Sequence, residues 1–191
     1  VDIFNLEWIE EFEQLQCNVK PIVSADINQL IEVQLGQPVG NVFKYIDATP
    51  IGSASIAQVH KAELISGETV AVKIKRPNID PTIHADLRIL THLAGLIESE
   101  IPESRRYQPV QMVQYFARSL AKETDLSVEL RYMQRIENAF RDHDFIHIPK
   151  VYSEFSNRQM LVQEFVAGNL LQSTDLNALP ETMRRQLALR I

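Results

Sequence analysis

One stretch of strand character, flanked on both sides by helical periodicity, constrains this chain more than any other feature. From about Asp47 small and β-branched residues dominate Ile51 to Val59, followed by Leu64, Ser66-Gly67 and the run Thr69 to Ile74. That reads as strand, turn, strand, with Gly67 supplying the tight turn. Pro77 and Pro81 end the sheet signal. Upstream, Phe4, Trp8, Ile9, Phe12 and Leu15 recur at helical spacing. After a break around Asn18 to Pro21, a second helix that Ser24 or Asp26 can cap carries Ile27, Leu30, Ile31 and Leu35 on one face, with Gly36 placed to end it. Pro38 to Phe43 suggests a short turn. Downstream, a helix over His84 to Ile97 turns Leu87, Leu90, Leu93, Leu96 and Ile97 inward, and Pro102 and Pro109 bracket a polar connector. A long charged helix runs from about Val110 to Arg141. Val151 to Phe155 and Met160 to Phe165 read as two further strands joined at Ser156-Asn157, Gly168 breaks the pattern, and Pro180 opens a last helix. Helices, strands, helices, strands, helix is not the alternation of a βαβ fold. It predicts an α+β lobe with a twisted antiparallel sheet built from about Ala48 to Ile74 and Val151 to Phe165.

Composition bears on partners. Hydrophobic residues make up 45% of the 191 residues and charged residues 23%, enough material for a soluble core. A formal net charge of -6 gives no electrostatic reason to expect a nucleic-acid partner. Cys17 is the single cysteine, so no internal disulfide can form. No apolar run reaches the roughly 18 residues of a membrane-spanning helix, so membrane association is not encoded in this segment. Both ends read as cuts in a longer protein: the start has helical periodicity without an initiator Met, and ETMRRQLALRI stops inside a helical pattern.

The densest chemical signal is P-I-G-S-A-S-I-A-Q-V-H-K-A, Pro50 to Ala62, followed by G-E-T-V-A-V-K-I-K-R-P, Gly67 to Pro77. Gly52, Ser53, Ala54 and Ser55 have side chains of at most two heavy atoms, so backbone N–H groups there can approach a phosphate closely. Lys73 lies on a strand one hairpin later, where its ammonium can reach the same phosphates. A small-residue loop followed by Ala-x-Lys on a strand parallels the kinase layout. Taken singly, each feature is more often a tight turn or a solvated lysine.

Together these stretches resemble the UbiB/AarF family of atypical protein-kinase-like proteins, tied to isoprenoid quinone biosynthesis. Members carry A-A-A-S followed by I-A-Q-V-H; here the loop reads Gly52-Ser53-Ala54-Ser55, then Ile56 to His60. The strand V-A-V-K stands at Val70 to Lys73, with Arg76-Pro77 after it. The resemblance reaches upstream to Leu35 to Val39 and downstream to Leu161 to Phe165. Gly52 and Ser53 replace two family alanines, and a glycine there is freer in φ/ψ. The resemblance matches an acidic E-x-D motif to Glu123 and Asp125, and a following Glu to Glu129. The four-residue spacing of Asp125 and Glu129 suggests one helix face. Glu129 is the expected carboxylate partner of Lys73, in the manner of the helix-αC Glu of kinases. An Ala and an Asn usual in the family after this Glu are replaced around Leu130 and Tyr132. Gln163, Glu164, Phe165 and Val166 look like a gatekeeper and hinge, whose backbone would meet an adenine edge, and Val59, Ala71 and Leu161 are candidates for packing near the base.

The resemblance divides the chain into a helical extension over 1–47, a kinase-like N-lobe over 48–166 with a helical insert at 80–108, and the start of a second lobe over 167–191. It places a Lys-x-Gly-Gln motif before this chain. A catalytic loop of the form H-x-D-x-H-P-G-N and the Mg²⁺-binding Asp would follow beyond Ile191. ATP and Mg²⁺ are therefore the implied cofactors, with the Mg²⁺ ligands beyond the C-terminus. Nucleotide is the expected partner, with an isoprenoid lipid or quinone-biosynthesis proteins in addition. The implied location is cytoplasmic, peripheral at the inner membrane in the full-length protein. His60, His84, His92, His143 and His147 show no metal-ligand spacing, and Ser55 has no His-Asp set for a hydrolase triad. Three readings stand: the ATP-binding lobe of an atypical kinase or ATPase-like enzyme, inactive as a fragment; a non-catalytic pseudokinase or scaffold module of a membrane-associated biosynthetic complex; and a structural domain without a ligand.

Overall fold

The computed structural model describes residues 24–143, 145–168 and 179–190. The helical periodicity of Phe4 to Leu15 and the lone Cys17 lie outside the described residues. The first described helix, α1 (Ser24–Leu35), turns Ile27 and Ile31 into the core, at 2% and 0% exposure. Gly36 ends it with φ 67°, and its N–H closes the last turn on the Glu32 carbonyl at 2.8 Å.

Among the described residues one antiparallel sheet has five strands: β1 (Phe43–Ile46), β2 (Gly52–Ser53), β3 (Ala57–Leu64), β4 (Thr69–Lys75) and β5 (Met160–Glu164). The spatial order is β1-β3-β4-β5, with β2 folded back on β3. The β3–β4 hairpin expected from the sequence is present, pairing Ala57 with Lys75 through Glu63 with Thr69. Its turn uses Gly67 at φ 102°, a value that disfavours any residue with a Cβ.

Four expectations need correction. Strand character begins at Phe43 rather than near Asp47, inside the segment expected to be helical. An irregularity of register between Phe43 and Tyr45 breaks the alternation that would have announced it. Ile51 to Val59 is not one strand: Gly52 pairs with Val59 and Ser53 with Gln58, so the loop between them reverses direction. Val151 to Phe155 holds a single bridge, Val151 to Gln163, followed by a 3-10 turn at Ser153–Phe155. The long charged helix is two helices, α3 (Pro109–Glu123) and α4 (Leu126–Ala139), because Asp125 caps the second.

A further correction concerns α2 (Ile79–Glu100). It packs against α3, with Ile83 and Leu87 half-buried and Ala94 4% exposed. Leu90, Leu93, Leu96 and Ile97, expected inward, remain 41% to 48% exposed. Periodicity marks an apolar stripe but not the neighbour that covers it. Among the described residues no helix is long and apolar enough to cross a membrane. The last helix, α5 (Glu181–Arg190), follows Pro180, whose carbonyl accepts from the Met183 and Arg184 N–H groups.

The core lies on one face of the sheet. Ala62, Leu64, Val70, Val72, Ile74, Met160 and Val162 meet Ile27 and Ile31 of α1, together with Phe43 and Tyr152. Gln58 and His60 share that face and are 0% exposed. His60 Nδ1 lies 2.7 Å from the Asp47 carbonyl, an acceptor, so Nδ1 carries the proton. Its Nε2 then accepts from the Gln58 amide at 2.6 Å. The pair ties the chain after β1 to β3 without leaving a buried polar atom unsatisfied.

On the opposite face, Lys75 is buried, with its side chain 4% exposed, and donates to both Asp80 oxygens at 2.7 and 2.9 Å. Burial raises the Asp80 pKa, but hydrogen bonds from Lys75 and from Gln159, at 3.1 Å, outweigh it and hold the carboxyl below its ordinary value. A depressed folded value means the contribution to stability is present above the unfolded value, about 3.9, and is lost as pH falls through the folded one. Asp80→Asn is therefore expected to cost about 2 kcal/mol at pH 7, less than a fully buried pair because Asp80 itself is half-exposed. The loss should shrink near pH 3. Denaturant unfolding at the two pH values measures this, and equal losses would show that the ion pair is not the source.

Candidate functional site

Strand alternation builds the site. With Val70, Val72 and Ile74 committed to the core, Ala71, Lys73 and Lys75 must face the other way. Register then aligns Val59, Lys73 and Leu161 across β3, β4 and β5, and sets Ala71 beside Gln163. Ala71 and Leu161 are buried on this face, and Val59 is half-buried.

Lys73 Nζ donates to Glu129 Oε2 at 2.7 Å, with side-chain exposures of 33% and 40%. Glu129 sits in the first turn of α4, where the helix dipole favours a negative charge. Its placement follows from the start of that helix. Asp125 has extended backbone (φ -104°, ψ 96°), and its Oδ1 accepts from Ser127 N at 3.0 Å and Ser127 Oγ at 2.6 Å. Its Oδ2 meets Arg158 Nε at 3.1 Å, and Leu126 N–H donates to the Arg158 carbonyl at 3.2 Å. Those contacts fasten α4 to the turn before β5. Burial pushes the Asp125 pKa up, but the Ser127 hydrogen bonds, aided by Arg158 and Arg131, bring it below the ordinary carboxylate value.

Glu123 ends α3, Asp125 caps α4 and Glu129 lies within α4, so the three acids do not share one helix face as their spacing suggested. All three nevertheless line one groove of about 540 Å³ between the helices, with Tyr132, Met133 and Ile136 along its wall. The break at Thr124-Asp125 is what lets residues from two helices converge there.

The loop Gly52 to Ser55 is compact. Ala54 N–H donates to the Ala57 carbonyl at 2.9 Å, so that donor is turned inward, in contrast to the expectation that the loop amides as a set face a phosphate. Gly52 needs neither a positive φ nor missing space, since a Cβ there would meet nothing within 4 Å. The alanine found in the resembling family would therefore fit. Arg76, not proposed for the site from the sequence, holds the loop. Its Nε donates to the Ala54 carbonyl at 2.9 Å, its Nη2 to Ser53 Oγ at 2.8 Å, and its backbone N–H to the Ile56 carbonyl at 2.9 Å. The sequence signal for it was its place in the Arg76-Pro77 match of the resembling motif, three residues after Lys73, which gave it no role.

At the far end of the sheet, Glu164 Oε2 accepts from Lys150 N at 3.1 Å and lies 3.0 Å from His147 Nε2. Its side chain is thus turned to the 147–150 segment. Phe165 N–H donates to the Thr69 carbonyl at 3.1 Å, and Lys61 Nζ lies 4.8 Å from the centre of the Phe165 ring. Val166 follows, 51% exposed. The His143 ring lies tilted against Phe140 and edge-on to Phe145. Among the described residues no group of three His, Cys, Asp or Glu side chains is placed to hold a metal ion.

Comparison with known proteins adds an independent line. Residues 14–190 match the family model of the ABC1 atypical kinase-like domain. The chain is 37% identical over 168 residues to the probable protein kinase UbiB of Shewanella loihica, covering 87% of this chain and 31% of that protein. It is 35% identical over 179 residues to the protein of the same name from Vibrio cholerae serotype O1, covering 93% and 32%. It thus spans about a third of the length of the curated relatives it matches, 31% and 32% of these two. Among solved structures, the complex of Rv3197 with erythromycin from Mycobacterium tuberculosis has a TM-score of 0.73 at 24% identity, covering 96% of this chain and 46% of that one. That likeness supports the N-lobe-like α+β fold.

The helix that carries Glu129 depends on its cap. Asp125→Ala is expected to destabilise the fold by about 1 kcal/mol, whereas Asp125→Asn keeps most of the capping bond. Unfolding midpoints and amide exchange over residues 127–129 report the difference. Identical behaviour of the two variants would mean that the Arg158 contact, not the cap, sets the start of α4.

Proposed function

Because the chain belongs to the ABC1 atypical kinase-like family, we propose that it is the nucleotide-binding lobe of an atypical kinase or ATPase-like protein acting in isoprenoid quinone biosynthesis. The observation that carries this reading is the Lys73–Glu129 pair at 2.7 Å. A lysine ammonium on a long flexible stem is held at one place by a carboxylate from a separate helix. That is the arrangement by which kinase-like lobes present a fixed cation to nucleotide phosphates. In this reading Gly52, Ser53, Ala54 and Ser55 flank the phosphates, and Lys73 neutralises part of their charge. Val59, Ala71 and Leu161 form an apolar ceiling for the base, and the backbone from Glu164 to Val166 meets its polar edge. Glu123 and Asp125 line the groove beside Glu129, where a second group of the substrate or nucleotide would lie.

The residues present suit the phosphate and base of ATP but not its metal. The described residues offer no converging set of metal ligands, and Glu129 and Asp125 are already engaged by Lys73, Ser127 and Arg158. The resemblance places the ligands of Mg²⁺ outside these 191 residues. Relatives named UbiB support ubiquinone biosynthesis as the setting; a small molecule or lipid as the phosphoryl acceptor is what the family resemblance implies.

Two measurements test this. The 191-residue chain is expected to show no Mg-dependent nucleotide turnover, since the resemblance puts the catalytic loop and the Mg²⁺ ligands outside it. In the natural full-length polypeptide, Mg-dependent ATP binding is expected, and Lys73→Ala should abolish it. Turnover by the short chain that disappears on Lys73→Ala would show that the machinery lies elsewhere. Unchanged ATP affinity on Lys73→Ala in the long form would remove the nucleotide reading.

A further inference from the structure

We propose that Arg76 is the positioning residue of the Gly52–Ser55 loop, fixing one peptide plane so that the Ser55 N–H is presented to a nucleotide phosphate. The inference rests on the reading that this loop meets nucleotide.

Glycine, serine and alanine side chains bury almost nothing, so a loop of them has little packing of its own to hold it. Ala54 and Ser55 are exposed. The loop is instead held through its polar atoms. The Ala54 N–H is taken by the Ala57 carbonyl, the Ala54 carbonyl by Arg76 Nε, the Ser53 hydroxyl by Arg76 Nη2, and the Ile56 carbonyl by the Arg76 backbone. In a trans peptide the carbonyl and the following N–H point in opposite directions. Fastening the Ala54 carbonyl to the guanidinium therefore directs the Ser55 N–H away from it. A peptide flip would reverse that donor, and Arg76 is what opposes the flip.

The side-on fork of the guanidinium, Nε and Nη2, is engaged by the loop, at the Ala54 carbonyl and the Ser53 hydroxyl, and that engagement is the positioning role. Lys73, on β4 and three positions before Arg76, is the cation that can meet the phosphate. Arg76 acts on the same ligand through the backbone of Ser55. A lysine in its place has the charge but not the planar fork, so it cannot span both acceptors in the same way.

The test has two parts. In the 191-residue chain, amide exchange over residues 54–57 should rise about tenfold in Arg76→Ala, with Arg76→Lys intermediate, while exchange in the β3–β4 hairpin is unchanged. Unchanged exchange over 54–57 in both variants would overturn the clamp. In the natural full-length polypeptide, Arg76→Ala should raise the dissociation constant for Mg-ATP about tenfold and leave that for adenosine unchanged, since the loop touches only the phosphates. Ser53→Ala should give a smaller increase that does not add to that of Arg76→Ala, as expected for two members of one network. Parallel loss of ATP and adenosine affinity would mean a general structural role and overturn the proposal. Lys73→Ala separates the two layers of inference. If it abolishes Mg-ATP binding while Arg76→Ala changes nothing, the positioning role fails and the nucleotide reading survives. If neither variant affects Mg-ATP binding, the nucleotide reading itself fails.

Discussion

The arrangement of this protein depends on the two-residue alternation of β4. Val70, Val72 and Ile74 fill the core beneath α1, and the same pleat obliges Ala71, Lys73 and Lys75 onto the other face. That face cannot be an ordinary apolar core, because two lysines rise from it whose Cα atoms are about 7 Å apart, the i to i+2 spacing of a strand. Each has a carboxylate of its own: Glu129 for Lys73 and Asp80 for Lys75. The two pairs differ in consequence. Lys75 is nearly sealed and Asp80 comes from the first turn of the helix that follows, so this pair locks strand to helix. Lys73 is a third exposed and its partner more so, which leaves the pair accessible to a ligand.

The helix carrying Glu129 is aimed by a break rather than by its own sequence pattern. Read as periodicity, 110–141 is one long helix. An Asp whose side chain bonds the N–H two residues on offers the backbone an alternative to continuing, and Asp125 takes it. With α4 begun afresh and fastened to Arg158, its first turn reaches Lys73, while Glu123 stays behind at the end of α3. Acidic residues close in sequence thus reach one groove from two directions. The groove's apolar wall, at Tyr132 and Ile136, and the stripe of α2, at Leu90, Leu93, Leu96 and Ile97, leave large hydrophobic side chains exposed outside the core.

Opposite that helix, the small-residue loop has an analogous dependence on one side chain. Its small residues bury little surface and cannot fix a conformation by packing. Arg76 supplies the hold from the end of β4, so the strand that presents Lys73 also sets the loop beside it.

The sequence by itself determined the elements whose physics is local. The β3–β4 hairpin follows from β-branched runs around Gly67, α1 from its apolar face and Gly36, and the last helix from Pro180. The block from Pro50 to Pro77 also carried the family resemblance, which the match over residues 14–190 establishes. The tertiary structure alone decided what depends on partners distant along the chain. It decided that Phe43–Ile46 is a strand, since its partner lies about twenty residues on and a bulge hides its alternation. It decided that Leu90, Leu93, Leu96 and Ile97 face outward, since a stripe does not name its neighbour. The meeting of Lys73 and Glu129, 56 residues apart, was expected from the family resemblance and not from any spacing, and folding closes it; the reach of Arg76 back across 22 and 23 residues to Ala54 and Ser53 was visible only in the fold. Spacing in sequence carries information only over a turn of helix or a pair of strand residues. Contacts closed by folding over longer loops leave no periodic trace in the chain.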